Sequence, residues 1–215
     1  MHRRAFLSTA AAGLGGATLA ACGSAAAPVD RPSRQIPQRR GKGGVLLAYF
    51  SRAGENYYNG GRRDLEVGNT EVLARMIARK TDVDLHRIVA ADPYSDDYDE
   101  TVQRNVEEEN ADARPRIRNG LRSIAKYDTV LLASPIWNSR TPMIMATFAE
   151  RYDFAGKRVL PVVTYAVSGL GSAASDYADL CDGASIGRGL AVRGERVRAS
   201  EDQVDAWLRR ARLAS

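Results

Sequence analysis

Val45-Leu46-Leu47-Ala48-Tyr49-Phe50 is an unbroken apolar run, the pattern of a β-strand buried on both faces. The period then changes. In Glu71–Lys80 the residues Val72, Leu73, Met76 and Ile77 share one helical face, and Asn69 or Thr70 can cap the start. Val83–Val89 reads as a second strand. Tyr98–Glu109 reads as a polar helix whose Glu107-Glu108-Glu109 run is a solvated face. Pro115 interrupts, and Ile117–Ala125 fits a short helix. Thr129–Ala133 is a third, almost wholly apolar strand ending at Ser134-Pro135. Met143–Tyr152 has helical apolar spacing, and Val159–Tyr165 is a buried strand despite Pro161. Ala173–Leu180 is helical and Ile186–Val192 strand-like. Ser200 is placed to cap a last helix through Arg212, with Val204, Trp207 and Leu208 inward. Strands alternate with helices five times, which predicts an α/β domain over residues 45–215 with a parallel sheet covered on both faces.

The region before Val45 follows none of these periods. His2-Arg3-Arg4-Ala5-Phe6-Leu7 resembles a twin-arginine export signal. Ala10–Ala21 is apolar but too short to span a bilayer, which takes about 20 apolar residues, so residues 1–21 read as a cleaved signal peptide. Leu19-Ala20-Ala21-Cys22 resembles a bacterial lipobox, which implies cleavage before Cys22 and lipidation there. Residues 22–44 then form a lipidated tether. Gly23–Gly44 holds Pro28, Pro32 and Pro37 and almost no apolar bulk, so it cannot order itself and reaches at most ~75 Å. The expected location is the outer face of the bacterial cytoplasmic membrane, held by the lipid on Cys22.

The chain's formal charge of +5 suggests nucleic acid until the charges are located. Arg3 and Arg4 lie in the leader, and Arg31, Arg34, Arg39, Arg40 and Lys42 in the tether. From Val45 onward 24 basic side chains face 25 acidic ones, so no nucleic-acid partner is expected. Cys22 and Cys181 are the only cysteines and His2 and His86 the only histidines. With Cys22 lipidated, no disulfide or thiolate cluster is available, and no metal site is expected. His86, within a strand, reads as a histidine paired with a neighbour rather than as a member of a catalytic triad.

Ligands of such sheets bind at the carboxyl ends of the strands, where strand order reverses. After the first strand comes Ser51-Arg52-Ala53-Gly54-Glu55-Asn56, and Gly68-Asn69-Thr70 opens the next helix. Small polar side chains and free N–H groups at a helix start suit an anion. No Gly-x-x-x-x-Gly-Lys-Ser/Thr loop is present. After the third strand, Pro135-Ile136-Trp137-Asn138 offers a flat aromatic surface. Arg140 in the same loop is either a charge facing a bound ring or a solvated rim residue. After the fourth strand, Ser168-Gly169-Leu170-Gly171 lets backbone approach a ligand closely.

Val45–Asn56, Gly68–Ile77, Tyr127–Asn138, Pro142–Val163 and Ser168–Gly171 together resemble the flavodoxin family, most specifically at Tyr152-Asp153-Phe154-Ala155-Gly156-Lys157. The resemblance implies a three-layer sandwich with a five-stranded parallel sheet in order 2-1-3-4-5. It implies flavin mononucleotide (FMN) with its phosphate at Ser51, Arg52, Asn56, Asn69 and Thr70. The ring would lie against Pro135, Ile136, Trp137 and Asn138, with Ser168 and Gly169 closing the far edge. Two features depart from the family. Tyr57–Val67 splits the phosphate loop, with Asn59-Gly60 suggesting a hairpin, and the domain is near neutral where flavodoxin carriers are strongly acidic.

An FMN protein that transfers electrons, or reduces a substrate through the flavin, needs no catalytic residue of its own, and none is identified here. Its partner would be a redox protein or a small-molecule electron acceptor. Two other readings stay open. One is a cofactor-free binding lipoprotein on the same fold. The other is a nicotinamide-dependent reductase built on Gly169-Leu170-Gly171-Ser172-Ala173-Ala174, although that G-x-G-x-x-A follows a late strand with little chain left for a second half.

Overall fold

A computed structural model of the chain describes residues 43–214. The expected signal peptide, Cys22 and the tether up to residue 42 lie outside the described residues. The strand expected from Val45 already begins at Gly44, and Gly43 N donates to Asp128 Oδ2 at 3.0 Å.

The elements are β1 (Gly44–Tyr49), β2 (Gly54–Tyr58), β3 (Gly61–Leu65), α1 (Asn69–Lys80), β4 (Asp84–Arg87), α2 (Tyr98–Asn110), β5 (Tyr127–Pro135), α3 (Met143–Glu150), β6 (Arg158–Tyr165), α4 (Ala173–Leu180), β7 (Ser185–Ile186), β8 (Leu190–Arg193), a 3-10 turn (Gly194–Ala199) and α5 (Glu201–Ala211). The parallel sheet runs β4-β1-β5-β6, with β7 and β8 sharing the fifth position beside β6. Counted as five positions this is the order 2-1-3-4-5, and strand order reverses between β1 and β5.

Unbroken apolar strands are explained by the two cores they serve. Leu46, Ala48, Val130 and Leu132 face α3 and α4 through Ile144, Phe148 and Tyr177. Their neighbours Leu47, Leu131, Ala133 and Leu160 face α1 and α5 through Leu73, Ile77, Val204 and Trp207. The central strands β1, β5 and β6 therefore bury both of their alternating faces.

The fifth strand, expected whole over Ile186–Val192, is interrupted at Gly187–Gly189, and Pro161 gives the reason. Gly187 N donates to Val159 O, so the backbone groups of alternate residues 159 and 161 face the fifth position. Pro161 has no N–H to offer there, and the ladder resumes only at Val162–Leu190. Trp207 Nε1 donates to Arg188 O at 3.0 Å and takes up one carbonyl freed by the break.

Ile117–Ala125 is not the helix expected but an irregular segment along the edge strand. Asn119 Oδ1 accepts from Val89 N and its Nδ2 donates to Arg87 O, so this side chain stands in for a missing strand neighbour. The second strand is shorter than expected, and His86 stacks near Phe148 with ring centroids 6.0 Å apart while its Nε2 has no hydrogen-bond partner. Ser200 stands at the start of α5 as expected, but its hydroxyl donates back to Val197 O rather than capping the helix. Among the described residues no helix is long and apolar enough to cross a membrane.

Burial holds the His86 imidazole below its ordinary value, so the folded chain resists a proton that the unfolded chain takes up below about pH 6.5. The stability it contributes is present above that pH and is lost as pH falls. Denaturant unfolding between pH 7.5 and 5 is expected to show a smaller loss in His86→Phe than in the native chain. Gly68 leaves no room for a Cβ, which would overlap Arg52 O and Ser51 Oγ. Gly68→Ala is therefore expected to cost about 1–3 kcal/mol in the same measurement.

Candidate functional site

At the reversal between β1 and β5 the described residues form a cleft of about 520 Å³. It is lined from the ends of β1, β5 and β6, from the start of α1 and along one side of α2. Ten of the eleven binding residues expected from the sequence meet there: Ser51, Arg52, Asn56, Asn69, Thr70, Pro135, Ile136, Trp137, Asn138 and Ser168. Gly169 does not line it. Gly169 instead lies in the turn closed by Gly171 N to Ser168 O, with φ +59° and nothing near where a side chain would stand.

The anion end is built on one contact. Ser51 Oγ accepts from Glu71 N at 3.0 Å, so the end of β1 rather than Asn69 or Thr70 caps α1 from within its first turn. The N–H groups of Asn69 and Thr70 are left without a partner among the described residues at the positive end of the helix. The Thr70 hydroxyl is spent on Thr164 Oγ1 at 2.7 Å, and Asn56 Nδ2 on Gly54 O at 2.9 Å, so both side chains shape the cradle.

Arg52 holds the loop that follows. Its guanidinium donates to Ser95 O at 2.8 Å, to Asp96 O and to Glu55 O, while its buried Nε has no partner. Burial lowers its pKa from the ordinary arginine value, against the pull of Asp96, Glu55 and Asp97.

The insert that splits this loop is the hairpin expected from Asn59-Gly60. Both residues have positive φ, +49° and +89°, between the paired Tyr58 and Gly61, the geometry of a type I′ turn. Its tip is tied to one side by Asn59 N to Glu195 Oε1 at 3.1 Å. On the other side Arg62 binds Asp99 at 2.6 Å and lies 4.7 Å from the Tyr98 ring centre. The hairpin thus straps the anion end between α2 and the 3-10 turn.

Trp137 marks the other end. It packs edge-on against Phe50 and Tyr94, with centroids 5.6 and 5.2 Å away. Tyr94 is itself fixed by its hydroxyl to Glu108 Oε2 at 2.8 Å and by Arg104 over its ring at 4.0 Å. Trp137 to Arg140 forms a tight turn with reciprocal backbone bonds, and Asn138 and Ser139 hold φ of +45° and +66°. Such backbone is strained for residues other than glycine and persists only where the surroundings hold it. Here Asn138 Nδ2 donates to Glu109 Oε2 at 2.7 Å, and Ser139 O accepts from Ser172 N at 3.0 Å.

Gly171 is where the Ser139 carbonyl presses closest, and a Cβ there would overlap it. The G-x-G-x-x-A run is therefore a packing contact, and the start of α4 is taken up by the chain itself. Arg140 is a rim residue. It does not line the cleft, and its guanidinium lies 3.8 Å from Asp176.

The sequence reading overlooked the α2 wall. Tyr98, Thr101, Val102, Asn105 and Val106 line the cleft, and Val102 and Val106 stay partly exposed. An i, i+4 valine pair on a polar helix was the available signal. Nor is the glutamate run a solvated face. Glu108 is buried on Tyr94 and Arg104, and Glu109 holds Asn105 and Asn138. Cys181 is buried and its thiol is pushed up to about 12, which makes it a structural residue.

A family profile described as Flavodoxin matches residues 65–211. Among solved structures, a candidate flavoprotein from Bacteroides uniformis ATCC 8492 is 29% identical, with TM-score 0.61 over 79% of this chain and 99% of that one. A second, from Bacteroides eggerthii DSM 20697, is 26% identical, with TM-score 0.55 over 76% and 98%. A flavoprotein from Lactobacillus acidophilus NCFM in complex with FMN shares the fold at 14% identity, with TM-score 0.52 over 76% and 99%. No curated protein matches the chain. On the profile match, which spans most of the folded part, this chain belongs to the flavodoxin family.

Proposed function

We propose that the cleft holds FMN and that the protein works in electron transfer or FMN-dependent reduction, tethered through lipid on Cys22 to the outer face of the cytoplasmic membrane. The observation that carries the cofactor reading is that one cleft joins two complementary ends. At one end are unpartnered helix N–H groups and a buried arginine Nε, and at the other is a pinned tryptophan. A phosphate at the first end supplies the acceptor that Arg52 Nε, Asn69 N and Thr70 N lack. The volume of the cleft lies within the range of small-molecule sites. Family membership favours the same ligand.

When bound, the isoalloxazine ring supplies reversible electron chemistry. The chain's own part is to bind and position. Arg52 and the start of α1 fix the phosphate, and the hairpin flanks that end. Trp137, held edge-on by Phe50 and Tyr94, is a platform that loses little freedom on stacking. No side chain has to take or give a proton: His86 is outside the cleft, and Cys181 stays a thiol in the core. With the folded part near neutral, a redox partner or small-molecule acceptor is met with little steering by net charge.

The full-length chain purified or reconstituted with FMN is expected to keep a visible flavin band through gel filtration. Trp137→Ala is expected to weaken FMN at least about fivefold, since stacking on an aromatic side chain is worth roughly 1–3 kcal/mol. A colourless protein that ignores added FMN would turn the reading toward a cofactor-free binding module. In a cell fractionation, the native chain is expected with the membranes and Cys22→Ser in the soluble fraction. Equal partition of the two would remove the tether.

A further inference from the structure

The α2 wall carries a buried polar atom that nothing among the described residues satisfies. Asn105 is only 3% exposed, lines the cleft, and has no hydrogen-bond partner at Oδ1. Its Nδ2 is already spent, donating to Glu109 Oε1 at 2.9 Å one turn along the helix. The other oxygen of that carboxylate accepts from Asn138 Nδ2 at 2.7 Å. A carboxylate only accepts, so it holds the NH2 group of both amides toward itself. Turning the Asn105 amide over would set Oδ1 against Glu109 with no proton between them. Its orientation is therefore fixed, and Oδ1 is left buried without a donor among the described residues.

Glu109 stands in the last turn of α2, where the helix dipole disfavours an acid. The two amide donors offset that cost, and they come from α2 and from the turn that carries Trp137. One carboxylate thus couples the aromatic platform to a buried acceptor beside it.

We propose that Asn105 Oδ1 reads the imide N–H of the flavin ring, with Glu109 as the positioning residue that fixes this acceptor and holds the Trp137–Arg140 turn against it. The inference rests on the FMN reading above. The oxidised isoalloxazine ring has a single N–H, on the imide of its pyrimidine ring, so an oxygen that can only accept selects that edge. A ligand with no N–H there leaves a desolvated acceptor unpaired.

The test is to titrate the flavin-free full-length chain with FMN and with 3-methyl-FMN, in which that N–H is replaced by N–CH3, following flavin fluorescence. The native chain is expected to bind FMN about tenfold more tightly than the methylated analogue. In Asn105→Leu, which removes the acceptor at similar volume, the ratio is expected to fall to near one. Asn105→Ala gives the same reading if the leucine variant does not fold. Glu109→Gln, which frees the amide to turn, is expected to give an intermediate ratio. A native ratio near one, or a ratio that survives removal of the acceptor, with FMN still bound, overturns this proposal and leaves the FMN reading standing. A native chain that binds neither flavin overturns both.

Discussion

The site depends on the contact between the end of β1 and the start of α1. Phe50 leaves a strand buried on both faces, and the next residue, Ser51, accepts from Glu71 N inside the first turn of the helix. Gly68 admits this approach because it has no Cβ to strike Arg52 O. The cap reaches the third helical residue and leaves Asn69 N and Thr70 N without an acceptor among the described residues. A helix start that is closed yet only partly satisfied is a binding site for negative charge. Its position follows from the sheet, because β1 lies at the point where strand order reverses.

Around that contact the chain distributes its polar groups unevenly. Arg52 spends its Nη groups on three carbonyls of two segments and keeps Nε back. The residue therefore both staples the loop and leaves one buried N–H without a partner among the described residues. At the far end, strain in Asn138 and Ser139 is balanced by bonds to α2 and to the start of α4. Both ends are pre-organised by groups that also hold the local fold. That fits a cofactor that brings its own chemistry and asks the protein only for position and environment.

The fold was largely legible because unbroken apolar strands and one-faced helices leave few arrangements open. Where the reading failed, the missing information was tertiary. The interruption at Gly187–Gly189 is caused by Pro161 on another strand, and Ile117–Ala125 is held open by the edge it covers through Asn119. The cleft's loop residues were legible from turn chemistry and family likeness at the strand ends. The α2 wall was not, because Val102, Asn105 and Val106 sit in a helix that reads as polar, with its glutamate run as a solvated face. Gly169 and Gly171 look equivalent in sequence, yet one shapes a turn and the other receives the Ser139 carbonyl.

The claim that one cleft is built for a phosphate at one end and a flat ring at the other is tested most directly by calorimetric titration of the flavin-free full-length chain with FMN and with riboflavin, which has the ring but no phosphate. Tight FMN binding with riboflavin weaker by about a hundredfold or more is expected, since charge-assisted bonds are worth about 1.5–3 kcal/mol each. Equal affinity for the two, or no binding of either, would contradict it.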